Sequence, residues 1–226
     1  MNPAAPWMDW SAAALSVRLA LSAVALLAPL GIALAWPLAY GRFRGKVFLE
    51  AALLMPLVLP PTVLGFYLLQ SLGPRSPLGR AWDFFTGGTL VFSFSGLLIA
   101  TLLINLPFFL QPLVASLGSV DRRLLEASST LGHGRMATYL RVALPLSWRG
   151  LLAGAILAFA HGMGEFGVVL MVGGNLPGRT RTLSIALFDQ VQALDLEAAH
   201  RTAFALLSFA FLVLLSTAWL RAREPR

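Results

Sequence analysis

Ser93–Leu117 reads SFSGLLIATLLINLPFFLQPLVASL, twenty-five residues without a charged side chain. A helix rises 1.5 Å per residue, so about 20 apolar residues cross the hydrocarbon core of a bilayer. This stretch therefore reads as a membrane span, and four more lie on either side of it. Ser11–Trp36 carries one charge, Arg18; Ala51–Gln70 carries none; Gly150–Gly174 carries Glu165; Thr202–Leu220 carries none. Leu183–Leu194 is apolar but short and ends at Asp195, which reads as a helix lying at the outer surface or as a re-entrant piece. The expected fold is all-α: an integral membrane bundle of five spans (six if Leu183–Leu194 enters the bilayer), forming one domain over residues 1–226.

Composition agrees. Of the 226 residues, 58% are hydrophobic and 12% charged, against about 25% charged in soluble domains; the mean hydropathy is +0.76. The net charge of +7 does not point to nucleic acid, because the basic residues flank apolar segments instead of forming a patch on a polar domain. There are no cysteines, which removes disulfides and thiolate metal sites. Arg42, Arg44, Lys46, Arg122, Arg123, Arg135, Arg141, Arg149, Arg221, Arg223 and Arg226 fall on one side, eleven of the seventeen Lys and Arg residues. The richer side is expected to be cytoplasmic, with the N-terminus outside and the C-terminus inside. Ala33-Leu34-Ala35 resembles a cleavage site, but the segment before it is long and lacks a basic cluster, so it is expected to stay as a span.

The longest inward loop, residues 118–149, has helical structure written into it. Asp121 can accept the free N–H groups of a first turn. Leu124, Leu125 and Leu131 give that helix an apolar side, and Gly132 and Gly134 break it. Met136, Tyr139, Leu140, Ala143 and Leu144 then repeat at helical spacing, an amphipathic stripe ahead of Pro145. Such a pair of short helices suits either a partner's groove or an anionic lipid surface.

Within this loop stand Glu126-Ala127-Ser128, then Gly132 after three residues, Val142 after nine more, and Leu144-Pro145. The pattern resembles the EAA signature of binding-protein-dependent ABC importer permeases, with Ser128 in place of alanine and Val142 in place of isoleucine. The Pro-rich Met55–Gly65 run, the Gly164-Glu165-Phe166-Gly167 run and the Gly174–Thr180 loop are similar to those of the molybdate permease family. The sulfate permeases share much of this, usually on longer chains. The resemblance covers about residues 15–220. It implies a type I importer permease that acts as a homodimer, with two cytoplasmic ABC ATPase subunits below and a periplasmic molybdate-binding protein above. It also implies that Glu126, Ala127, Ser128, Leu131, Gly132, His133, Arg135 and Met136 form the element that couples to the ATPase. No G-x-x-x-x-G-K-[ST] occurs, so ATP and Mg²⁺ are expected on the partner ATPase and no cofactor on this chain.

Several span residues are candidates for the path or its gate. Pro56, Pro60 and Pro61 should bend or open the second span, and non-helical backbone at membrane depth belongs against protein or a water-filled cavity. That places Pro60, Pro61, Thr62 and Gly65 near a gate; a simple packing kink is the other reading. Gly164, Glu165, Phe166 and Gly167 join them from the fourth span. Glu165 lies about 22 Å above the inner end, and Arg18 about 10 Å below the outer end, so the two are expected to pair across the outer half of the membrane. Asn105 can offer N–H donors to an oxyanion or can join helices. Gly154, Gly162, Gly164 and Gly167 suit close packing, and His161 reads as packing or a bundle hydrogen bond. A membrane enzyme would need more than the single pair His161 and Glu165, and a channel would need no ATPase.

Overall fold

The computed structural model describes residues 8–222, with side chains described as far as residue 218. Arg223 and Arg226, expected among the inward charges, residues 1–7 at the N-terminus, and the Arg221 side chain lie outside that description.

Every regular element among the described residues is helical. Helix α1 (Trp10–Tyr40) starts at Asp9, whose carboxylate accepts from Ala12 N–H at 3.0 Å. The chain continues through α2 (Lys46–Val58), α3 (Pro61–Leu72), α4 (Pro77–Thr86), α5 (Phe94–Gly118) and α6 (Arg122–Thr130). Then come α7 (Arg135–Thr138), a π-helical turn at Tyr139–Ala143, α8 (Leu144–Leu146), α9 (Trp148–Gly164), α10 (Gly167–Gly173), α11 (Leu183–Gln192) and α12 (Leu196–Ala222).

Three single helices, α1, α5 and α12, are long and apolar enough to cross a bilayer. Two more crossings are available only as broken pairs: α2 with α3, bent by 110°, and Arg135–Leu146 with α9, bent by 71°. Three to five candidate spans therefore result. The second expected span is thus not a kinked rod. Leu59 and Pro60 are extended, and Pro61 opens a new helix as its first residue, where a missing N–H costs nothing. The fourth departs further from expectation. Its helix ends at Gly164, Glu165 is extended, and a separate seven-residue helix carries the chain onward.

Helices α1, α5 and α9 form the core. Phe109 of α5 is fully buried, with Gly31 of α1 and Gly154 of α9 on either side of it; a Cβ on Gly31 would strike its ring, and one on Gly154 its backbone carbonyl. Glycine is required at 31 because the α1 backbone lies on the Phe109 ring, and at 154 because the α9 backbone lies on that of α5. Gly162 likewise sits against Asn105, and Gly167 against Pro61, but Gly164 has nothing within 4 Å of where a Cβ would be. The packing expected of Gly164 is absent because that residue ends its helix on an exposed edge.

Helix α12 keeps Phe204, Leu207, Phe211, Leu212, Leu214 and Leu215 exposed, the surface of a helix whose solvent is lipid. Helix α11 differs from the expected surface helix. Its first turn, Leu183–Ala186, is buried, and Leu183 N–H donates to Ser16 Oγ of α1 at 2.8 Å.

Candidate functional site

Two places carry the chemistry, a helical knob between α5 and α9 and a junction of broken helices near α10.

The knob begins where Asp121 accepts Arg123 N–H at 2.9 Å. Helix α6 runs to Thr130, and Gly132 turns the chain with φ +84°, a left-handed conformation that favours glycine. Ser128, where the signature has alanine, is buried. Its hydroxyl lies 2.9 Å from Thr138 Oγ1 and 3.3 Å from His133 Nδ1, tying α6 to α7 inside the knob. The hydroxyl thus serves the joint rather than the surface. Glu126, Ala127, Leu131, Arg135 and Met136 are exposed, Leu131 to 79% and Met136 to 52%.

The amphipathic stripe expected here divides. Tyr139 and Ala143 are buried, while Met136 and Leu140 face outward. Each pair stands at an i, i+4 interval along its own edge of the stripe, and only the Tyr139–Ala143 edge, which includes the π turn, meets the core. Tyr139 Oη donates to the Ile32 carbonyl at 2.6 Å, and Tyr40 Oη to that of Leu117 at 2.7 Å. These bonds anchor the knob and α5 to α1.

At the second place the two breaks meet. A Cβ on Gly167 would lie 2.7 Å from Pro61 Cβ, and one on Gly65 2.8 Å from Met171 Cβ, so α3 and α10 cross at near-contact of their backbones. Beside this crossing is a cavity of about 170 Å³, walled by Pro56, Leu57, Leu59, Pro61, Leu64, Ile104, Phe108 and Val168, with His161 and Glu165 as its ionisable groups. Asn105 is fully buried behind it, donating from Nδ2 to the Thr101 carbonyl at 2.9 Å and meeting His161 Nδ1 through Oδ1 at 3.0 Å. His161 Nε2 lies 3.9 Å from Glu165 Oε2, and Phe108 stacks on the imidazole at 4.0 Å. Glu165 Oε1 accepts Val168 N–H at 3.0 Å, and its backbone carbonyl accepts the Ser184 hydroxyl at 2.6 Å. The break is thus held by side chains, as buried non-helical backbone requires.

The expected Arg18–Glu165 pair does not form. Arg18 is exposed and sits 4.6 Å above the Phe94 ring, while Glu165 is directed inward to Val168 and His161. Equal depth did not bring them together because the two side chains leave their helices toward different neighbours. Of the remaining path candidates, Thr62 and Pro60 are exposed, Phe166 packs on Phe188 at 5.0 Å, and Gly164 stands clear. His161 and Phe108 are the members that sequence reasoning left out of the site. The four-residue interval from His161 to Glu165 was the one available signal for the first. The second needed three-dimensional placement.

At the end of the bundle away from the knob, Asn175 donates to both Asp189 oxygens at 2.7 and 2.6 Å and accepts from Arg181 Nε at 2.6 Å. This ties the loop after α10 to α11.

The helical bundle and its glycine-jointed knob define a membrane protein, and the family match makes it a transport subunit: the chain belongs to the family described as "Binding-protein-dependent transport system inner membrane component", whose pattern matches residues 28–226. It is similar to the "Molybdenum transport system permease protein ModB" of Azotobacter vinelandii, 46% identical over 206 residues, covering 91% of each chain. The protein of that name from Escherichia coli (strain K12) is 37% identical over 214 residues, 94% of this chain and 93% of that one. The "Probable sulfate transport system permease protein cysT" of Chlorella vulgaris is 32% identical over 210 residues, 92% and 79% respectively.

Proposed function

We propose that this chain is the membrane permease of an ATP-driven importer that moves a tetrahedral oxyanion, molybdate first of all, across the bacterial inner membrane. The observation that carries the substrate is the 46% identity to a molybdenum permease over nine-tenths of both chains, against 32% and 35% to two sulfate permeases. Tungstate shares the shape and charge of molybdate and is the nearest alternative cargo; sulfate or thiosulfate is the next.

In this reading two copies pair with the path between them, each crossing five times with the N-terminus outside and the C-terminus in the cytoplasm. Helices α2 with α3, and α9 with α10, are then broken spans. The exposed face of the knob (Glu126, Ala127, Leu131, Arg135, Met136) seats in a cleft of a cytoplasmic ATPase subunit, one per copy, which binds ATP and Mg²⁺. Gly132 and the buried Ser128–Thr138–His133 contact keep the knob one rigid piece, so that a shift of the ATPase moves α9 through the π turn. A periplasmic binding protein delivers the oxyanion to the outer face. The breaks at Leu59–Pro60 and Glu165–Phe166 are where the spans can yield without unwinding a whole helix.

The test is uptake of labelled molybdate by vesicles holding this chain with its ATPase and binding protein, in competition with unlabelled tungstate and sulfate. Suppression by tungstate and indifference to a hundredfold excess of sulfate are expected. Equal suppression by sulfate would move the chain to the sulfate class.

A further inference from the structure

The hydrogen-bond chain behind the cavity fixes where protons stand. The Thr101 carbonyl only accepts, so the Asn105 atom 2.9 Å from it is the amide nitrogen, and Asn105 Oδ1 is the atom 3.0 Å from His161 Nδ1. An amide oxygen also only accepts. His161 Nδ1 therefore carries a hydrogen, and Nε2 is the nitrogen that faces Glu165 Oε2 at 3.9 Å.

Glu165 accepts Val168 N–H on its other oxygen, so Oε2 is the oxygen left to face His161. A neutral His161 in this tautomer would aim a lone pair at that carboxylate. A protonated one aims an N–H at it, and the Phe108 ring stacked on the imidazole at 4.0 Å tolerates or favours the cation.

Among the described residues no other charge competes for His161. Helices α5 and α10 contain no ionisable residue, and α1 offers Arg18, which is turned to Phe94. On α2, Glu50 is paired with Lys46; on α3, Tyr67 is exposed. Asp189 of α11 is bound to Asn175 and Arg181. On α12, Glu197 is bound to Arg201 and His200 is exposed.

We propose that His161 is protonated in the transport-competent permease and serves as the counter-charge of Glu165, keeping the cavity wall neutral so that an oxyanion can enter. This rests on the oxyanion reading above. With the proton, the wall carries a cation and an anion. Without it, Glu165 alone confronts a dianion, and like charges repel across a low-dielectric cavity. The proton comes from water and returns to it, and no covalent bond changes. Asn105 is a positioning residue that holds the tautomer.

Two measurements on the assembled transporter test this. In vesicles, His161→Gln should lower molybdate uptake at least tenfold at pH 7, and adding Glu165→Gln should restore it to within about threefold of wild type, because the neutral pair needs no proton. Wild-type uptake should fall as pH rises above the histidine range, and Glu165→Gln should abolish that fall. An inactive double variant, or His161→Gln with wild-type uptake and pH profile, would overturn the proposal. Protonation is also read without cargo, by nitrogen NMR of ring-labelled histidines with His161→Gln as the assignment control. Both ring nitrogens of His161 should be protonated at pH 7 in wild type, and one should lose its proton in Glu165→Gln. A neutral His161 at pH 7 in wild type would refute the proposal even if vesicles fail to take up molybdate, a failure that would fall on the cargo instead.

Discussion

Gly164 and Gly167 stand three residues apart on either side of the same break, and the structure gives them opposite roles. A methyl group at Gly167 would lie 2.7 Å from Pro61 Cβ, whereas carbon atoms rest at about 3.5–4.0 Å, so Gly167→Ala must drive the two apart by about 1 Å. Neither side gives easily. The proline ring fixes its own backbone angle, and α3 is held to α10 a turn further on by Gly65 against Met171. Overpacking of this kind costs about 1–3 kcal/mol. For a chain of this size each kcal/mol moves the melting temperature by about 2–4 °C, so Gly167→Ala should melt roughly 2–12 °C below wild type. Gly164→Ala meets nothing within 4 Å and should melt at the wild-type temperature or slightly above, because alanine restricts the unfolded chain more than glycine does. Thermal unfolding of both variants in detergent decides it. Equal melting of wild type and Gly167→Ala, or an equal loss in both variants, would refute the claim that the α3–α10 crossing is closed by backbone contact.

Two further outcomes follow from single contacts. Ser128→Ala restores the residue usual in the signature but removes the hydroxyl shared with Thr138 and His133. It should weaken the knob by about 1 kcal/mol, read as faster amide exchange at His133 and Thr138, while a wild-type exchange rate would show that the hydroxyl holds nothing. At Asp9, burial opposes ionisation, but the Ser11 hydroxyl, the Ala12 N–H and the field of Arg181 outweigh it and hold the carboxyl below its ordinary value. A depressed value means the cap's contribution is full above about pH 4 and is lost as pH falls through the folded value. Asp9→Ala should therefore cost about 1 kcal/mol at neutral pH and nothing in strong acid; an equal cost at both would contradict the sign.

The all-helical membrane bundle was legible because uncharged runs of twenty residues have few other uses, and the knob because a capping aspartate and two glycines punctuate it. The breaks were only half legible. Prolines announced the one at Leu59–Pro60, but nothing local to Glu165 said that α9 ends one residue before it, since Gly-Glu-Phe-Gly is compatible with a continuing helix. The Arg18–Glu165 pairing failed for a related reason: depth along a helix can be counted from sequence, but azimuth cannot once a helix is interrupted. Ser128 looked like a small departure from a pattern, and its function appeared only when α7 folded back to bring Thr138 within 2.9 Å.

The most direct test is ATP-dependent uptake of labelled molybdate by vesicles containing this chain, its ATPase and its binding protein, with Gly132→Pro beside wild type. Proline cannot adopt the φ of +84° found at Gly132 and lacks the N–H that donates to the Ser129 carbonyl at 3.0 Å. Gly134→Ala, where a Cβ meets nothing within 4 Å, is the control. The expected result is uptake that needs ATP, survives Gly134→Ala, and is abolished by Gly132→Pro although that variant still reaches the membrane. Uptake that proceeds without ATP, or that is untouched by Gly132→Pro, would contradict the knob's role in coupling and favour a channel.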